Sequence, residues 1–229
     1  EARKGGNTDA KESNDVTPTS PFGPTGVEMY GLRFDSGRKT YLLNDFDSVG
    51  NFTFSFWIKP TSNADPQEII AYFEGTASAV QIGRTGDDIY VGDLTTAAVQ
   101  IPLSVNVWSN VCVQVNNDDV NININGGSAG SQSGNLGGTY SGSGRYSIGS
   151  VQTGDNQFLN GYLSDFYFVD GQSLSPSIFG ESFDDKWAPK KSGDVKVAIQ
   201  AAKESSYDSS NYQVASVGSN YYNYMYRDS

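Results

Sequence analysis

The acidic residues that could do chemistry in this chain stand side by side in turn-like stretches. A glycosidase that works through two carboxylates needs both on one face of its site, one as the acid and the other as the nucleophile or base. No stretch has the alternating Glu-x-Asp-x-x-Glu pattern that would place them so, and neighbours such as Asp184-Asp185 point apart on extended backbone. The chain also has no His, so a Ser or Cys nucleophile would lack its commonest general base. We therefore expect a protein that is not an enzyme.

Turn aspartates are the candidate ligands for a metal ion. β-Sandwiches can hold Ca²⁺ at the rim of a sheet through carboxylates and backbone carbonyls. The candidates are Asp87, Asp88, Asp118 and Asp119. Aspartate is also enriched in turns because its side chain bonds the nearby backbone, and this enrichment favours solvated turn residues over a metal site. The residue pattern therefore establishes no cofactor and leaves calcium as a hypothesis.

Aromatic side chains with polar neighbours are typical of glycan-binding sites. Tyr90 and Tyr140 are the candidates in this chain, although packing explains either residue equally well. Trp57 and Trp108 lie in strand-like runs, and we expect both in the core. Glycan contact therefore remains a hypothesis that depends on where these rings lie.

Charge and hydropathy exclude two classes of partner. The formal net charge is -11 and the sequence has no basic run, which argues against nucleic acid because the phosphate backbone requires a positive face. No apolar run is long enough to cross a bilayer, so we expect no membrane insertion. Cys112 is the only cysteine and lies in an apolar run, which predicts a buried thiol and no intrachain disulfide.

Strands are the elements that would position these residues. The clearest period-2 signal is Asn51–Pro60, where Phe and Ile alternate with Thr, Ser, Trp and Lys. Many short runs of this kind with turn signals between them predict an all-β fold, a two-sheet antiparallel β-sandwich. We expect residues 29–34 to form an edge strand that pairs in a hairpin with residues 40–43. Residues 126–144 are predicted to be a Gly/Ser-rich loop.

Residues 161–181 are the most strongly patterned stretch. Phe166 and Phe168 share one strand face, and the side chains between them share the other. Leu163 falls on the same face as the polar Asp165, which predicts a bulge or a sharp twist near Ser164. After the strand, a serine cap and a proline predict a short helical turn that Gly180 closes.

Neither end of the chain has the alternation of the middle. Residues 1–26 are predicted to be an extended N-terminal arm, and residues 191–229 a Tyr-rich C-terminal extension in which residues 195–204 fit either a helix or a strand. Tyrosines bury a ring while the hydroxyl meets polar groups, which is typical of subunit interfaces, and disorder is the alternative. The candidate interface residues are Tyr212, Tyr221, Tyr222, Tyr224 and Tyr226.

Several short motifs resemble a known family. They are Leu32-x-Phe34-Asp35-x-Gly37, the strand at 52–60, the Trp108 strand, and residues 161–181 followed by Trp187-x-Pro189-Lys190. Together they resemble the laminin-G-like, concanavalin A-like jelly roll that recurs in virion proteins of tailed bacteriophages. The likeness spans residues 27–190, which sets the predicted domain. It implies a usually non-catalytic sandwich used in adhesion or virion surface architecture.

The resemblance implies a virion structural protein on the particle surface, assembled in the host cytoplasm. Capsid decoration is the first choice and a short tail fibre or appendage the second. The expected partners are other capsid or tail subunits, held through the terminal arms, together with host-surface glycans. The alternative is a secreted carbohydrate-binding lectin or adhesin. Because one fold serves many functions, the resemblance alone does not decide between them.

Overall fold

Alternation of apolar and polar side chains folds the chain into two sheets that share one core. The computed structural model describes residues 31–38, 42–47, 51–64, 66–74, 77–92, 97–117, 119–133, 143–150 and 157–205. The strands are β1 (Leu32–Phe34), β2 (Leu42–Asp47), β3 (Asn51–Pro60), β4 (Gln67–Glu74), β5 (Ala77–Thr85), β6 (Asp88–Gly92), β7 (Ala97–Pro102), β8 (Ser109–Asn116), β9 (Asp119–Ile124), β10 (Gly127–Gln132), β11 (Ser143–Ile148), β12 (Gly161–Asp170), β13 (Gly180–Phe183) and β14 (Lys186–Pro189). The helices in these ranges are α1 (Ser192–Ser205) and two 3-10 turns, Ser36–Arg38 and Pro176–Ile178.

The strands form two six-stranded sheets and a separate hairpin. Sheet 1 has the order β1-β12-β3-β8-β9-β10, sheet 2 has the order β2-β11-β4-β5-β6-β7, and β13 pairs with β14. Neighbouring strands run antiparallel within both sheets. The predicted two-sheet antiparallel β-sandwich is confirmed, and β1 is an edge strand as expected.

Two local predictions from the sequence are wrong. β2 pairs with β11 in sheet 2 and not with β1, since an apolar run predicts a strand but not the partner of that strand. The predicted loop at 126–144 contains β10, whose small and mostly exposed residues carry no alternation. Of the two alternatives for residues 195–204, the helix is correct: they lie in α1, where Val195 and Ile199 stand one turn apart on the buried side.

Aromatic rings from three strands fill the core between the sheets. The ring centroid of Phe54 lies 4.8 Å from that of Phe168 and 5.9 Å from that of Phe166. Tyr146 of β11 brings its ring to 5.6 Å from Phe168 across the gap between sheets. Such offset and tilted pairs are favourable beyond the area that they bury. The predicted burial of Phe166 and Phe168 on one face of β12 is confirmed.

A β-bulge in β12 directs both halves of that strand into the core. The pairing with β3 shifts between Ser164 and Tyr167, and Asp165 has a φ of +44°. In a regular strand Leu163 and Phe166 would face opposite sides because they are three residues apart. The extra residue turns both to the same side, and both are fully buried. The predicted bulge is confirmed.

A second apolar cluster covers part of the outer face of sheet 1. Its buried members are Cys112, Tyr167, Val169, Leu174, Phe179, Val195 and Ile199. Residues 171–205 are also tied to β3, because Thr53 Oγ1 donates to the carbonyl of Gln172 and accepts from the N–H of Leu174, each at 2.8 Å. The apolar packing of the described chain therefore continues beyond β12 as far as α1. Cys112 is buried as predicted, and burial raises the pKa of its thiol to about 12.

The turn that follows β12 begins as the sequence predicts and ends one residue earlier. Ser175 caps the 3-10 turn by accepting from the N–H of Ser177 at 3.3 Å. Phe179 closes the turn, since its N–H donates to the carbonyl of Pro176. Gly180 is already the first residue of β13. In the part of the chain that the structure describes, no helix is long and apolar enough to cross a membrane.

The burial of α1 gives a first prediction. Replacing Ile199 by Ala should lower the free energy of unfolding by about 2–4 kcal/mol, because the truncation leaves a cavity under the helix. Val197 lies on the same helix with 71% of its surface exposed, and Val197→Ala should change stability by less than about 0.5 kcal/mol. Denaturant unfolding of both variants measures the difference. Equal effects of the two substitutions would show that α1 is not part of the folded unit.

Candidate ligand-binding surface

The turn aspartates do not come together. Asp87 and Asp88 lie at the β5–β6 turn, where Asp88 pairs with Pro102 at the end of β7. From the end of β7 the chain continues into β8. Asp119 follows the other end of β8, at the β8–β9 turn. These two turns are therefore at opposite ends of the sandwich. Within the described ranges no three of the Asp, Glu and Cys residues gather as metal ligands would. Asp118 lies outside the described residues.

The remaining candidates from the sequence are tyrosines, and the structure describes one of them. Tyr90 is half-buried on the outer face of sheet 2. Tyr140 and the candidate interface tyrosines 212, 221, 222, 224 and 226 lie outside the described residues. Their roles therefore stay predictions. The predicted N-terminal arm at residues 1–26 also lies outside the described residues and stays a prediction.

Tyr90 is joined to a buried carboxyl group. Its hydroxyl donates to Glu68 Oε1 at 2.7 Å across β5. Glu68 is fully buried, and the burial raises the pKa of its carboxyl to about 8, although the hydrogen bond from Tyr90 acts in the opposite direction. Burial also raises the pKa of Tyr90, and the charge of Glu68 adds to that shift. The pair is therefore a neutral carboxylic acid and a neutral phenol at pH 7.

The absence of a side chain between these two residues makes their contact possible. Gly83 lies between them, opposite Glu68 on β4 and opposite Tyr90 on β6. A Cβ at Gly83 would stand 2.5 Å from the Tyr90 hydroxyl oxygen and 2.7 Å from Glu68 Oε2. Among the described residues Glu68 Oε2 has no hydrogen-bond partner. The Tyr90 hydroxyl is thus committed to an internal contact, which leaves its ring as the part that could meet a ligand.

The second carboxyl group with a raised pKa belongs to the other sheet. Burial raises the pKa of Asp165 at the bulge, in spite of a hydrogen bond that Ser164 Oγ donates to it at 3.0 Å. Asp165 belongs to sheet 1 and Glu68 to sheet 2. A pair of carboxylates that shares one glycosidic bond must flank that bond. These two groups do not meet this requirement.

A cationic and aromatic row on the outer face of sheet 1 was missed by the sequence analysis. In register, Arg33 of β1 pairs with Tyr162 of β12, and Tyr162 pairs with Lys59 of β3. Trp108 immediately precedes β8, whose first residue pairs with the neighbour of Lys59. All four side chains are half-buried. We call Arg33, Tyr162, Lys59 and Trp108 the outer row.

The outer row is held in place by contacts on both sides of Tyr162. The guanidinium carbon of Arg33 lies 5.1 Å from the Tyr162 ring centroid, and the Trp108 ring lies 6.4 Å from it at an angle of 51°. Gly31 lets the backbone approach Trp108, because a Cβ there would stand 3.0 Å from Trp108 Cη2. The expectation that Trp108 is a core residue is wrong, whereas Trp57 is buried as expected. The signal that could have found the row is its alternation with Phe34, Leu163 and Ile58, which point into the core.

Arg33 is fixed by neutral oxygen atoms. Its Nη2 donates to Asn160 Oδ1 at 2.7 Å. Its Nη1 donates to the carbonyl of Gly161 at 3.2 Å and to that of Phe34. Thr61 Oγ1 also donates to Asn160 Oδ1, at 3.2 Å, which orients the amide. The guanidinium group is therefore oriented before any ligand arrives.

The buried Glu68 gives a second prediction. Between pH 4.5 and 8 the unfolded chain loses the Glu68 proton while the folded protein keeps it, so this group makes folding less favourable as the pH rises. Glu68→Gln removes the effect. The stability of the variant relative to the natural chain should rise by about 4–5 kcal/mol from pH 4 to pH 8.5.

Urea unfolding across this pH range measures the effect, with Glu181→Gln as the control. Glu181 is exposed on β13, so its substitution should leave the pH dependence unchanged. Parallel stability curves for Glu68→Gln and the natural chain would contradict the neutral buried carboxyl.

Comparison with known proteins extends these observations. The family model described as the Concanavalin A-like lectin/glucanases superfamily matches residues 35–177, more than half of the chain. The SAP-like pentraxin of Limulus polyphemus has a TM-score of 0.50 and 18% identity, over 58% of this chain and 70% of the pentraxin. The enzymatically active domain of tailspike protein 2 of bacteriophage CBA120 has a TM-score of 0.51 and 17% identity, over 66% of this chain and 26% of the tailspike chain. No curated protein matches the chain.

At these identities the two solved structures share the fold with this chain and nothing more specific. The family match covers β2 to β12 and the start of the turn after β12, which are all the strands of both sheets except β1. It agrees with the laminin-G-like resemblance of the sequence motifs and with the observed sandwich. This chain therefore belongs to the Concanavalin A-like lectin/glucanases superfamily.

Proposed function

We propose that this chain is a non-enzymatic domain of a tailed-phage particle that contacts glycans through the outer row. The observation that carries the glycan part is the row itself, two adjacent half-buried aromatic rings beside an oriented guanidinium group. Sugar rings present apolar C–H faces and polar rims. An aromatic ring next to fixed hydrogen-bond donors complements both features.

The donors beside the rings fit this role. Asn160 uses its Oδ1 to accept from Arg33 and Thr61, and its Nδ2 donates to none of the described residues. That amide group and the remaining N–H groups of Arg33 are available to hydroxyl oxygens of a ligand. The rings are held by neighbours on both sides, so little conformational entropy is lost when a ligand stacks on them.

The non-enzymatic part rests on the placement of acid groups. Glu68 is a neutral, fully buried acid whose near neighbour is a tyrosine, and Asp165 belongs to the other sheet. Neither carboxyl group has the paired arrangement that glycosidic cleavage requires. We expect no release of reducing sugar from any polysaccharide that the protein binds.

The virion part rests on the family resemblance of residues 161–181 and on a fold that a phage tailspike domain shares. In this proposal the protein is displayed on the particle surface, with capsid decoration as the first choice and a short tail fibre or appendage as the second. Other virion subunits would hold it through its terminal segments. A secreted lectin or adhesin remains the alternative, and location on or off the particle separates the two.

The glycan part gives a third prediction. Trp108→Ala should weaken glycan binding at least tenfold, because it removes the ring on which the sugar stacks, while Trp108→Phe should retain most of the affinity. Tyr90→Phe is the matched control, since the Tyr90 hydroxyl already bonds Glu68 on the other side of the sandwich. A glycan array followed by calorimetry measures these affinities. Unchanged binding by Trp108→Ala would place the site elsewhere.

The virion part gives a fourth prediction. A chain that ends at Ser205 keeps α1 and the apolar cluster beneath it, so it should unfold cooperatively at nearly the natural temperature. Without residues 206–229 it should no longer enter particles, because the interface tyrosines are gone. Particles assembled with each form and analysed by mass spectrometry and electron microscopy measure this. Normal incorporation of the shorter chain would show that the tyrosines are not the attachment.

A further inference from the structure

We propose that the ligand of the outer row is a carboxylate-bearing sugar and that Arg33 provides its charged contact. This inference rests on the proposed glycan contact and adds the chemical class of the ligand. The proposal follows from three properties of Arg33: its hydrogen bonds to neutral oxygen atoms, its positive charge in an acidic protein, and its position beside two aromatic rings.

Among the residues that the structure describes, Arg33 has no carboxylate partner. Its three hydrogen bonds go to the carbonyls of Phe34 and Gly161 and to the side-chain oxygen of Asn160, which are neutral acceptors. A guanidinium group has five N–H donors, so these bonds leave part of its donor capacity and all of its positive charge. Bonds to an ionised acceptor are roughly twice as strong as those to neutral ones. A ligand carboxylate therefore gains more at Arg33 than a hydroxyl group does.

The positive charge of Arg33 is opposite in sign to the net charge of the protein. The formal net charge is -11, whereas Arg33 is positive and lies in the outer row. An anionic ligand is repelled by the net charge of the protein and attracted to Arg33, which favours binding at the outer row.

The charge and the rings of the outer row are close enough to contact one ligand. The Arg33 guanidinium carbon lies 5.1 Å from the Tyr162 ring centroid, and that centroid lies 6.4 Å from the Trp108 ring centroid. A sugar that stacks on these rings can therefore present its carboxylate to Arg33.

Polygalacturonate and its fully methyl-esterified form test the inference, because they differ only at the carboxyl group. The natural chain should bind the acid form at least tenfold more tightly than the ester, and added salt should reduce the difference. Polysialic acid is the second acidic probe, and it distinguishes a sialic acid from a uronic acid as the source of the carboxylate. Preferred binding of either acid over the neutral ester supports the proposal.

Variants of Arg33 locate the effect. Arg33→Gln should reduce affinity for the acid form at least tenfold and leave affinity for the ester nearly unchanged. Arg33→Lys should recover part of the acid preference, since it keeps the charge but not the planar array of N–H donors. Lys186→Gln is the matched control, because Lys186 is an exposed cation on the β13–β14 hairpin and its loss changes the net charge equally. Thermal unfolding of each variant verifies that it is folded.

Three outcomes would overturn the inference in distinguishable ways. Equal binding of acid and ester, weakened by Trp108→Ala, would leave the proposed glycan contact in place and refute the carboxylate. Equal losses in Lys186→Gln and Arg33→Gln would show a general charge effect and no site at Arg33. Binding of neither polymer nor of any sugar on the array would refute the proposed glycan function together with the inference.

Discussion

The pairing of β12 with β3 is the contact on which the rest of the structure depends. It runs the length of β3, from Phe52 to Pro60, and the bulge at Asp165 lets it deliver apolar side chains to the core before and after the shift in register. The other face of these two strands is the outer face of sheet 1. Residues 171–205 cover one end of that face, and the opposite end carries the outer row. The same strand pair therefore supports the core, the covering segment and the candidate ligand surface.

The sequence predicts those features of the fold that are local. Alternation along β3, the out-of-phase Asp165 in β12 and the serine cap at Ser175 each involve a few neighbouring residues, and each is present in the structure. The choice of strand partner is not local. β2 could bury its apolar side chains from either sheet, and the small residues of β10 give no pattern to recognise.

The candidate site was less predictable for the same reason. Arg33 and Tyr162 are neighbours because β1 and β12 pair across most of the chain, and neither residue belongs to a motif in its own segment. In the sequence Glu68 is an ordinary carboxylate in a strand. Its role becomes clear only when the pairing of β4 with β5, and of β5 with β6, places it beside Gly83 and Tyr90. Its raised pKa arises from burial, which no local pattern encodes. Tyr90 was named for its aromatic ring, but the structure adds that its hydroxyl serves an internal contact.

The position of β12 between β1 and β3 also has a consequence for synthesis on the ribosome. Until β12 emerges, β3 has one unpaired edge beside a row of phenylalanines, which is a template for pairing with another chain. About a hundred residues separate the two strands, so at common translation rates this edge stays open for roughly 5–20 s. Folding is also slower when the residues in contact lie far apart in the sequence, as those of β3 and β12 do. The nascent chain therefore depends on its late residues, or on a chaperone, to protect the open edge of β3.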